Sequence, residues 1–288
     1  MRIATFSIGS ERRVGIVDLE NGLVVPFDLT SAEAREGILA IIERPTLPAT
    51  LAPIALDQVT LEAPIPRPRR NIFCVGKNYR DHAREFSRSG FDPGAVDIPV
   101  DPIIFSKVPD AVIATGAPVV IDPHVSTAID YEAELAVIIG RAGRGITATD
   151  ALDHVWGYTI INDVTARDLQ QRHGQWLIGK SQDSFCPMGP WAVTRDEIDV
   201  ADTAIRCFVN DELRQSANTS ALIFDIPTLI ATLSAGLTLT AGDIIATGTP
   251  AGVGIGFNPP RYLRGGDVVR IEIDGIGTLE NRCAEATR

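Results

Sequence analysis

The sequence predicts a β-rich α+β protein. Short segments dense in β-branched and aliphatic residues, bounded by Gly, Pro, Asn and Asp, outnumber the segments with helical periodicity. No regular alternation of strand and helix appears, which argues against a doubly wound or barrel α/β fold. With 288 residues, 45% of them hydrophobic and 22% charged, the chain has globular composition and ample length for a substantial core.

Residues Met1–Leu29 are predicted to form a small β-meander, because three segments alternate as half-buried strands do. The turn residues Gly9-Ser10 and Asn21-Gly22 separate these strands. Residues Ser31–Arg44 follow as a predicted short helix, with Ser31 able to cap its N-terminus.

A proline-rich stretch separates this first part from the rest of the chain, and it ends in the basic run RPRR at Arg67–Arg70. We therefore expect a small N-terminal β-rich domain over residues 1–66. A larger domain over residues 67–288 is expected to carry the candidate catalytic residues.

The later elements are predicted from the same patterns. Trp156–Ile161 is predicted to be a buried strand, and Thr165–His173 and Ile226–Ala235 to be helices. Two hairpins are predicted, one turning at Asn210-Asp211 and the other at Asp274-Gly275.

Charge and cysteine content exclude several classes of protein. The net charge is −11 and no Lys/Arg cluster exceeds RPRR, which disfavours a nucleic-acid partner. The cysteines show no C-x-x-C or metal-like spacing and are predicted to be reduced, mostly buried thiols: Cys74, Cys186, Cys207 and Cys283. The N-terminus lacks a signal-peptide pattern and no run reaches membrane-spanning length, so we expect a cytoplasmic protein with no membrane partner.

The segment Ile129–Gly140, IDYEAELAVIIG, carries two glutamates, two residues apart, in a run that predicts a buried strand. Alternate side chains of a strand share a face, so Glu132 and Glu134 are predicted to point the same way. Together they resist burial unless a cation or a proton compensates them. Asp163 follows the predicted strand Trp156–Ile161, and three carboxylates are hard oxygen donors that suit magnesium, manganese or calcium. A solvent-facing Glu on an edge strand and a turn-capping Asp163 are the alternative.

His82 and Glu85 are three residues apart in the predicted helix Tyr79–Phe86, so they can share a face and form a hydrogen bond. An imidazole held by a carboxylate through one nitrogen is a better base at the other, and it can take a proton from water. The next stretch, Ser87–Val100, is predicted to be a mobile loop able to close over a site. A surface histidine beside charged residues is the alternative.

Further positions are suited to an anionic ligand. Lys180 follows an apolar run, and a buried lysine there needs a carboxylate or an anionic ligand. Arg167 and Gln170 lie one helical turn apart and can reach a carboxylate and a carbonyl from one side. Thr249 lies in the glycine-rich turn TGTPAGVG. For each of them a solvated or structural residue is the alternative. Ser–His–Asp chemistry is disfavoured because G-x-S-x-G is absent.

Five motifs, taken together and in order, resemble the fumarylacetoacetate hydrolase family: GKNYRDHAREF, DYEAELAVIIG, GYTIINDVTARDLQ, QWLIGKSQDSFCPMGP and IIATGTPAGVG. The resemblance extends from about Asn71 to the C-terminus. It implies a mixed β-sandwich roll of the type formed by the C-terminal domain of that family, with bound magnesium or calcium and a homodimeric assembly. Family members cleave a carbon–carbon bond in acylpyruvates or related diketo acids, or decarboxylate or isomerise similar compounds.

The resemblance also implies a role for each candidate residue. The implied metal ligands, for Mg²⁺ with Mn²⁺ or Ca²⁺ as alternatives, are Glu132, Glu134 and Asp163. His82 and Glu85 match the pair that activates water, and Lys180 matches the lysine near the metal and the attacked carbonyl. The implied substrate contacts are Tyr79, Arg167, Gln170 and Thr249.

The expected function is therefore metal-dependent hydrolysis of an acylpyruvate or related 2,4-dioxo acid, with release of pyruvate or a similar 2-oxo acid. The chain is shorter than fumarylacetoacetase proper and looks closer to the short bacterial catabolic members. Decarboxylation of oxaloacetate-like acids or keto–enol isomerisation at the same metal–enolate site is the alternative. A non-catalytic, metal-stabilised binding protein is a third. The His82–Glu85 pair favours hydrolysis, because decarboxylation needs no activated water.

Overall fold

The computed structural model describes residues 1–88 and 98–287, and within them lie nineteen β-strands and six α-helices. The strands are β1 (Arg2–Ile8), β2 (Glu11–Asp18), β3 (Leu23–Pro26), β4 (Ile54–Ala55), β5 (Thr60–Glu62), β6 (Ile72–Gly76), β7 (Ile103–Lys107), β8 (Val112–Ile113), β9 (Val119–Ile121), β10 (Ile129–Asp130), β11 (Ala133–Ile139), β12 (Val155–Asn162), β13 (Thr165–Ala166), β14 (Cys186–Thr194), β15 (Ala204–Val209), β16 (Glu212–Asn218), β17 (Ile244–Ala246), β18 (Val268–Ile273) and β19 (Gly277–Glu285). The helices are α1 (Ser31–Ala34), α2 (Leu39–Ile42), α3 (Arg80–Arg88), α4 (Arg167–Arg172), α5 (Leu177–Lys180) and α6 (Ile226–Gly236). The prediction of a β-rich fold is confirmed.

Two sheets form the body of the protein. The larger has twelve strands in the order β4-β3-β2-β1-β14-β12-β11-β17-β6-β7, with β5 and β8 paired beside it to β1 and β14. The smaller has the order β16-β15-β18-β19-β9, and β10 pairs with β13 separately. Most pairs are antiparallel, but three are parallel: β17 with β6, β19 with β9, and β8 with β14. This agrees with the mixed β-sandwich roll that the family resemblance implies.

Strand β11 lies in the interior of the larger sheet, and all seven of its residues are buried. Alternate side chains of a strand face opposite sides. Leu135 and Val137 accordingly join a hydrophobic cluster that includes Ile205 of the smaller sheet. Ala136 belongs to a second cluster together with Ile72. The strand that leads out of the candidate metal site is therefore fixed by packing on both faces.

The N-terminal strands continue the larger sheet. Strand β1 pairs antiparallel with β14, with Arg2 opposite Val193. Ile3 packs in the same cluster as Ile72 and Ala136. Backbone pairing and core packing thus cross the boundary expected near residue 66, and the division into two domains stays a prediction.

The predicted helix Ser31–Arg44 is wrong in its extent, since two short helices, α1 and α2, occupy this region. The break lies at Gly37, which has a φ of +62° and where a Cβ would lie 2.5 Å from the carbonyl oxygen of Pro64. A side chain is disfavoured there by both conformation and space. The cap is Thr30 rather than Ser31, because Thr30 and Glu33 form a reciprocal capping box.

The other elements lie close to their predicted positions. The first two residues of the predicted helix Thr165–His173 form strand β13, and α4 covers the rest up to Arg172. The hairpin turn at Asn210-Asp211 is confirmed by positive φ angles of 51° and 64°. The loop predicted at Ser87–Val100 lies outside the described residues except for its ends. Among the residues that the structure describes, no helix combines the length and apolar character needed to cross a membrane.

All four cysteines are free and buried, as predicted. Burial raises the pKa of each thiol, to about 12 for Cys186 and Cys283. Because the thiolate is the reactive form, the native protein should react slowly with a chromogenic disulfide reagent at pH 8. In denaturant four thiols should react at once. Rapid labelling of a native thiol would contradict this expectation.

The same shifts in thiol pKa determine how the free energy of unfolding changes at alkaline pH. Thiols of an unfolded chain titrate near pH 8.5, whereas Cys186 and Cys283 keep their protons in the folded protein up to about pH 12. Above about pH 8.5 the unfolded state therefore binds fewer protons, and the free energy of unfolding falls as pH rises. Urea unfolding between pH 7.5 and 10 should show this decline.

Candidate functional site

Three carboxylates converge where β11 begins and β12 ends. Glu132 precedes β11, Glu134 lies within it, and Asp163 follows β12 directly. Ala133 is paired with Asn162, so the antiparallel register brings Asp163 next to Glu132, and the Asp163 N–H donates to the Glu132 carbonyl oxygen at 2.9 Å. One oxygen of each carboxylate lies within 4.8 Å of the others, and all three residues are buried.

The two glutamates lie together, although Glu132 is not part of a strand as expected. It lies in the link between β10 and β11, where its backbone N–H donates to Asn162 Oδ1 at 3.0 Å. Glu132 is 4% exposed and Glu134 1% exposed, so neither is a solvent-facing residue of an edge strand. Asp163, at 0% exposure, is no surface turn cap.

The donor set fits a hard divalent cation. Two oxygens bound to one ion lie at most about 4.2 Å apart for Mg²⁺ and about 5 Å apart for Ca²⁺. A spread within 4.8 Å is therefore compatible with Ca²⁺, and with Mg²⁺ after at most a small contraction. The three buried carboxylates could hold such an ion without further protein ligands of another type.

Two buried lysines bind the Asp163 carboxylate, one at each of its oxygen atoms. Lys180 Nζ donates to Asp163 Oδ2 at 2.7 Å and to Glu132 Oε2 at 2.8 Å. Lys107 Nζ donates to Asp163 Oδ1 at 2.6 Å. It also donates to the carbonyl oxygens of Val164, at 3.0 Å, and of Lys180. Each oxygen of this carboxylate thus carries its own ammonium partner, which fixes its orientation.

Arg167 connects the carboxylates to the glycine-rich turn. Its Nε lies 2.9 Å from Asp130 Oδ2, and its Nη2 lies 2.7 Å from Glu132 Oε1. Its Nη1 donates to Gln170 Oε1 at 3.2 Å, so these two side chains lie together on one side of α4. Asp130 in turn accepts the N–H of Gly254 at 2.6 Å. A chain of buried contacts therefore links the turn to the carboxylates.

Burial and neighbouring charges shift the pKa values of Glu132, Glu134 and Lys180, and the balance between them differs from group to group. Burial raises the pKa of Glu134 well above its usual value, and the charges of Asp163 and Glu132 add to the effect. Burial alone would also raise the pKa of Glu132, but Lys180 and Arg167 outweigh it and hold that pKa below its usual value. Burial alone would lower the pKa of Lys180, and the same carboxylates outweigh it, so this pKa is raised. Lys180 is thus a firmly charged ammonium, and Glu134 is the glutamate that binds a proton more tightly.

His82 and Glu85 lie one turn apart on α3, with His82 Nδ1 3.4 Å from Glu85 Oε2. The Glu85 carboxylate also accepts the N–H of Gly252, at 3.0 and 3.1 Å to its two oxygens. His82 is buried, which rules out a surface histidine. With Nδ1 directed at Glu85, the Nε2 atom is left for the cavity that His82 lines.

A cavity of about 20 Å³ lies among these side chains. The expected site residues that line it are His82, Glu132, Glu134, Arg167, Gln170, Lys180 and Thr249. The structure therefore brings together residues that lie up to 167 positions apart in the chain. Thr249 Oγ1 accepts a hydrogen bond from Gln215 Nε2 at 2.7 Å, which orients the hydroxyl group.

Tyr79 lies beside this cavity but is not among its described lining residues. Its hydroxyl group is buried and has no hydrogen-bond partner in the described part of the chain. Burial, and after it the charge of Glu134, raises the pKa of this phenol. The expected role of Tyr79 as a substrate contact stays a prediction.

Sequence reasoning missed Lys107 and Asp130. Lys107 ends the apolar segment PIIFSK, and no neighbouring motif marks it. Asp130 lies within the IDYEAEL segment, but its partners Arg167 and Gly254 are 37 and 124 residues away. The available signal was a charged side chain at the end of an apolar run, which must find a buried partner.

Comparison with known proteins relates this geometry to a family. A family profile described as "Fumarylacetoacetate (FAA) hydrolase C-terminal" matches residues 71–284. Oxaloacetate tautomerase YisK of Bacillus subtilis (strain 168) is 54% identical over 229 residues, which are 79% of this chain and 74% of that protein.

Solved structures agree with the sequence matches. A fumarylacetoacetate hydrolase from the psychrophilic Exiguobacterium antarcticum is 41% identical, with a TM-score of 0.85 over 99% of this chain and 100% of that one. A 2-hydroxyhepta-2,4-diene-1,7-dioate isomerase from Mycobacterium marinum is 33% identical, with a TM-score of 0.79 over 100% of both chains.

Proposed function

The chain belongs to the fumarylacetoacetate hydrolase family, and from that premise we propose that it catalyses metal-dependent keto–enol tautomerisation of oxaloacetate or a closely related 2-oxo dicarboxylic acid. The observation that carries the proposal is the buried carboxylate triad with the Lys180 ammonium beside it. Such a site suits an enolate, the species common to both tautomers. The identity to a relative named oxaloacetate tautomerase supports this substrate class.

The side chains around the cavity have distinct tasks in this proposal. Glu132, Glu134 and Asp163 would hold a divalent cation, which would supply Lewis-acid chemistry to the site. Lys180 Nζ, already beside two of these carboxylates, donates a hydrogen bond to the 2-oxo oxygen and stabilises the charge that develops there.

Tautomerisation moves a proton between C3 and the 2-oxo oxygen. His82 lines the cavity, and in this proposal its Nε2 takes the proton from C3 while Glu85 holds the ring through Nδ1. His82 then delivers this proton to the oxygen atom, while the Lys180 ammonium stays charged and donates a hydrogen bond to that oxygen. Water takes no part in the reaction, so a closed and largely buried site is an advantage.

The cofactor and the assembly are part of the same proposal. Family resemblance supports Mg²⁺, with Mn²⁺ or Ca²⁺ as alternatives, and it also supports a homodimer in the cytoplasm. Light scattering coupled to size exclusion tests the homodimer, and metal analysis of the purified protein tests the ion.

Hydrolysis of an acylpyruvate is the second candidate function, and one observation favours it. The contact between buried His82 and partly exposed Glu85 is suited to activating water, which tautomerisation does not need. The Exiguobacterium antarcticum structure, at 41% identity, is also named a hydrolase. Decarboxylation of oxaloacetate would need the carboxylate triad and Lys180 but no activated water.

The test follows the enol absorbance of oxaloacetate with Mg²⁺, with EDTA and in the Glu134→Gln variant. We expect metal-dependent acceleration that both EDTA and Glu134→Gln abolish. Glu280→Gln, at an exposed position of β19, should match the wild type. Pyruvate release from acylpyruvates, measured in parallel and lost in His82→Ala, would instead establish the hydrolase. Carbon dioxide release from oxaloacetate would identify the decarboxylase.

A further inference from the structure

The cavity at the candidate site is enclosed by buried residues on all but one of its described sides. Of its thirteen lining residues, eleven are buried and two, Phe105 and Trp176, are partly exposed. We call these two residues the aromatic wall, because they are the described lining residues that are partly exposed. A volume of about 20 Å³ holds roughly one water molecule. A bound 2-oxo acid therefore needs space that the aromatic wall now fills.

Both residues of the aromatic wall are connected to Lys180, Phe105 through its ring and Trp176 through the backbone of α5. The rings of Phe105 and Trp176 meet edge to face with centroids 5.1 Å apart. The Lys180 ammonium lies 4.8 Å above the Phe105 ring, and Lys180 ends the helical turn that Trp176 begins. Helix α5 is held close to α4, since a Cβ on Gly179 would lie 2.5 Å from the Gln170 backbone nitrogen.

Gly76 determines how deeply the indole sits. This glycine ends β6, and a Cβ added to it would lie 2.6 Å from Trp176 Cζ3 and 2.9 Å from Cη2. The indole therefore rests directly on the backbone of Gly76. The neighbouring lining residues Lys180 and Arg167 are held by buried ion pairs, whereas the indole is held by packing against Gly76 and Phe105.

We propose that Trp176 is the specificity-determining residue that limits the substrate to short 2-oxo acids, an inference that rests on the proposed function. The indole lines the partly exposed part of the cavity, and in this proposal any group attached beyond C3 of the substrate extends toward it. A carboxylate at that position, as in oxaloacetate, is small. A long acyl or an aryl group needs the volume of the indole itself.

The test compares kcat/KM for the tautomerisation of oxaloacetate and of phenylpyruvate, a 2-oxo acid with an aryl group on C3. Trp176→Ala should raise the ratio of phenylpyruvate to oxaloacetate activity by about 10-fold or more, as expected when a pocket gains the volume of a side chain. Trp176→Phe should give a smaller increase.

A matched control is Trp156→Ala. Trp156 is also partly exposed and also packs on a glycine, since a Cβ on Gly140 would lie 2.8 Å from Trp156 Cβ. It is not among the residues that line the cavity. Its removal should leave the activity ratio unchanged, whatever it does to stability.

Gly76→Ala provides a second variant that keeps the indole but displaces it. It should change the ratio in the single variant and have no further effect in the Trp176→Ala background, because the side chain it pushes is then absent. A purely structural role of Trp176 would lower both activities equally. An unchanged ratio in Trp176→Ala and in Gly76→Ala overturns the inference.

Failure of the proposed function is recognised separately. If the proposed function is wrong, the wild-type protein turns over neither acid. Ligand binding then tests the role of Trp176. With Mg²⁺ present, calorimetry on the folded variants should show the Kd for phenylpyruvate falling about 10-fold in Trp176→Ala while the Kd for oxalate stays constant. Equal changes in both Kd values count against a size limit set by Trp176.

Discussion

Replacing Lys180 with methionine should lower kcat/KM for oxaloacetate tautomerisation by about 10²- to 10³-fold, the usual cost of losing one preorganised donor to a developing oxyanion. Methionine keeps the length and much of the apolar volume of the side chain but removes the charge. The ammonium lies 2.8 Å from Glu132 Oε2 and 2.7 Å from Asp163 Oδ2, so the loss is confined to the centre of the site. Initial rates at saturating Mg²⁺, on protein shown to be folded by circular dichroism, measure it.

Lys180→Arg separates catalysis from charge compensation. The guanidinium keeps the positive charge that Glu132 and Asp163 require, but its fork places the donor atoms differently. We expect stability closer to that of the wild type and activity that is still strongly reduced. A Lys180→Met variant with activity within a few-fold of the wild type would show that another group stabilises the enolate.

Replacing Lys107 with methionine should reduce the free energy of unfolding by about 3–5 kcal/mol, the usual result of removing one partner of a buried ion pair. Lys107 is fully buried, and its ammonium lies 2.6 Å from Asp163 Oδ1 and 3.0 Å from the Val164 carbonyl oxygen. These two oxygens lose their donor in the variant. Urea unfolding measures the change, and calorimetry should show metal affinity reduced about 10- to 100-fold, because Asp163 is no longer oriented.

The control for this prediction is an exposed ion pair of similar geometry. Arg206 Nη1 lies 2.9 Å from Asp274 Oδ1, and the two side chains are 37% and 58% exposed. Arg206→Met should cost no more than the roughly 0–1 kcal/mol typical of surface pairs. Equal, small effects of both substitutions would mean that the Lys107 ammonium adds nothing to the stability of the site.

Features that depend on neighbours along the chain could be predicted. Two glutamates two residues apart were expected on one side of the segment, and their oxygens lie within 4.8 Å of each other and of Asp163. His82 and Glu85 were expected to meet across one helical turn, and they do at 3.4 Å. Helical periodicity fixes the relation of His82 and Glu85 without any information on the rest of the fold. The two glutamates meet as expected, although Glu132 lies just before β11 rather than within it.

Features that depend on register between distant segments could not be predicted. The position of Asp163 follows from the pairing of Ala133 with Asn162, and nothing local to either segment encodes that alignment. Lys107 reaches Asp163 only because β7 lies at the edge of the same sheet, beyond β17 and β6. The break at Gly37 likewise depends on the approach of Pro64.

The pairing of β1 has a consequence for how the chain folds. Along one edge of β1, residues Thr5–Ser7 pair with β5, whereas Arg2 and Ile3 pair with β14. The first partner is synthesised within the N-terminal part of the chain, and the second arrives only when Val193 has been made. Loops this long close slowly. Strand β5 can therefore cover Thr5–Ser7 early, which leaves Arg2–Ala4 at the start of β1 open to wrong partners until β14 pairs with it.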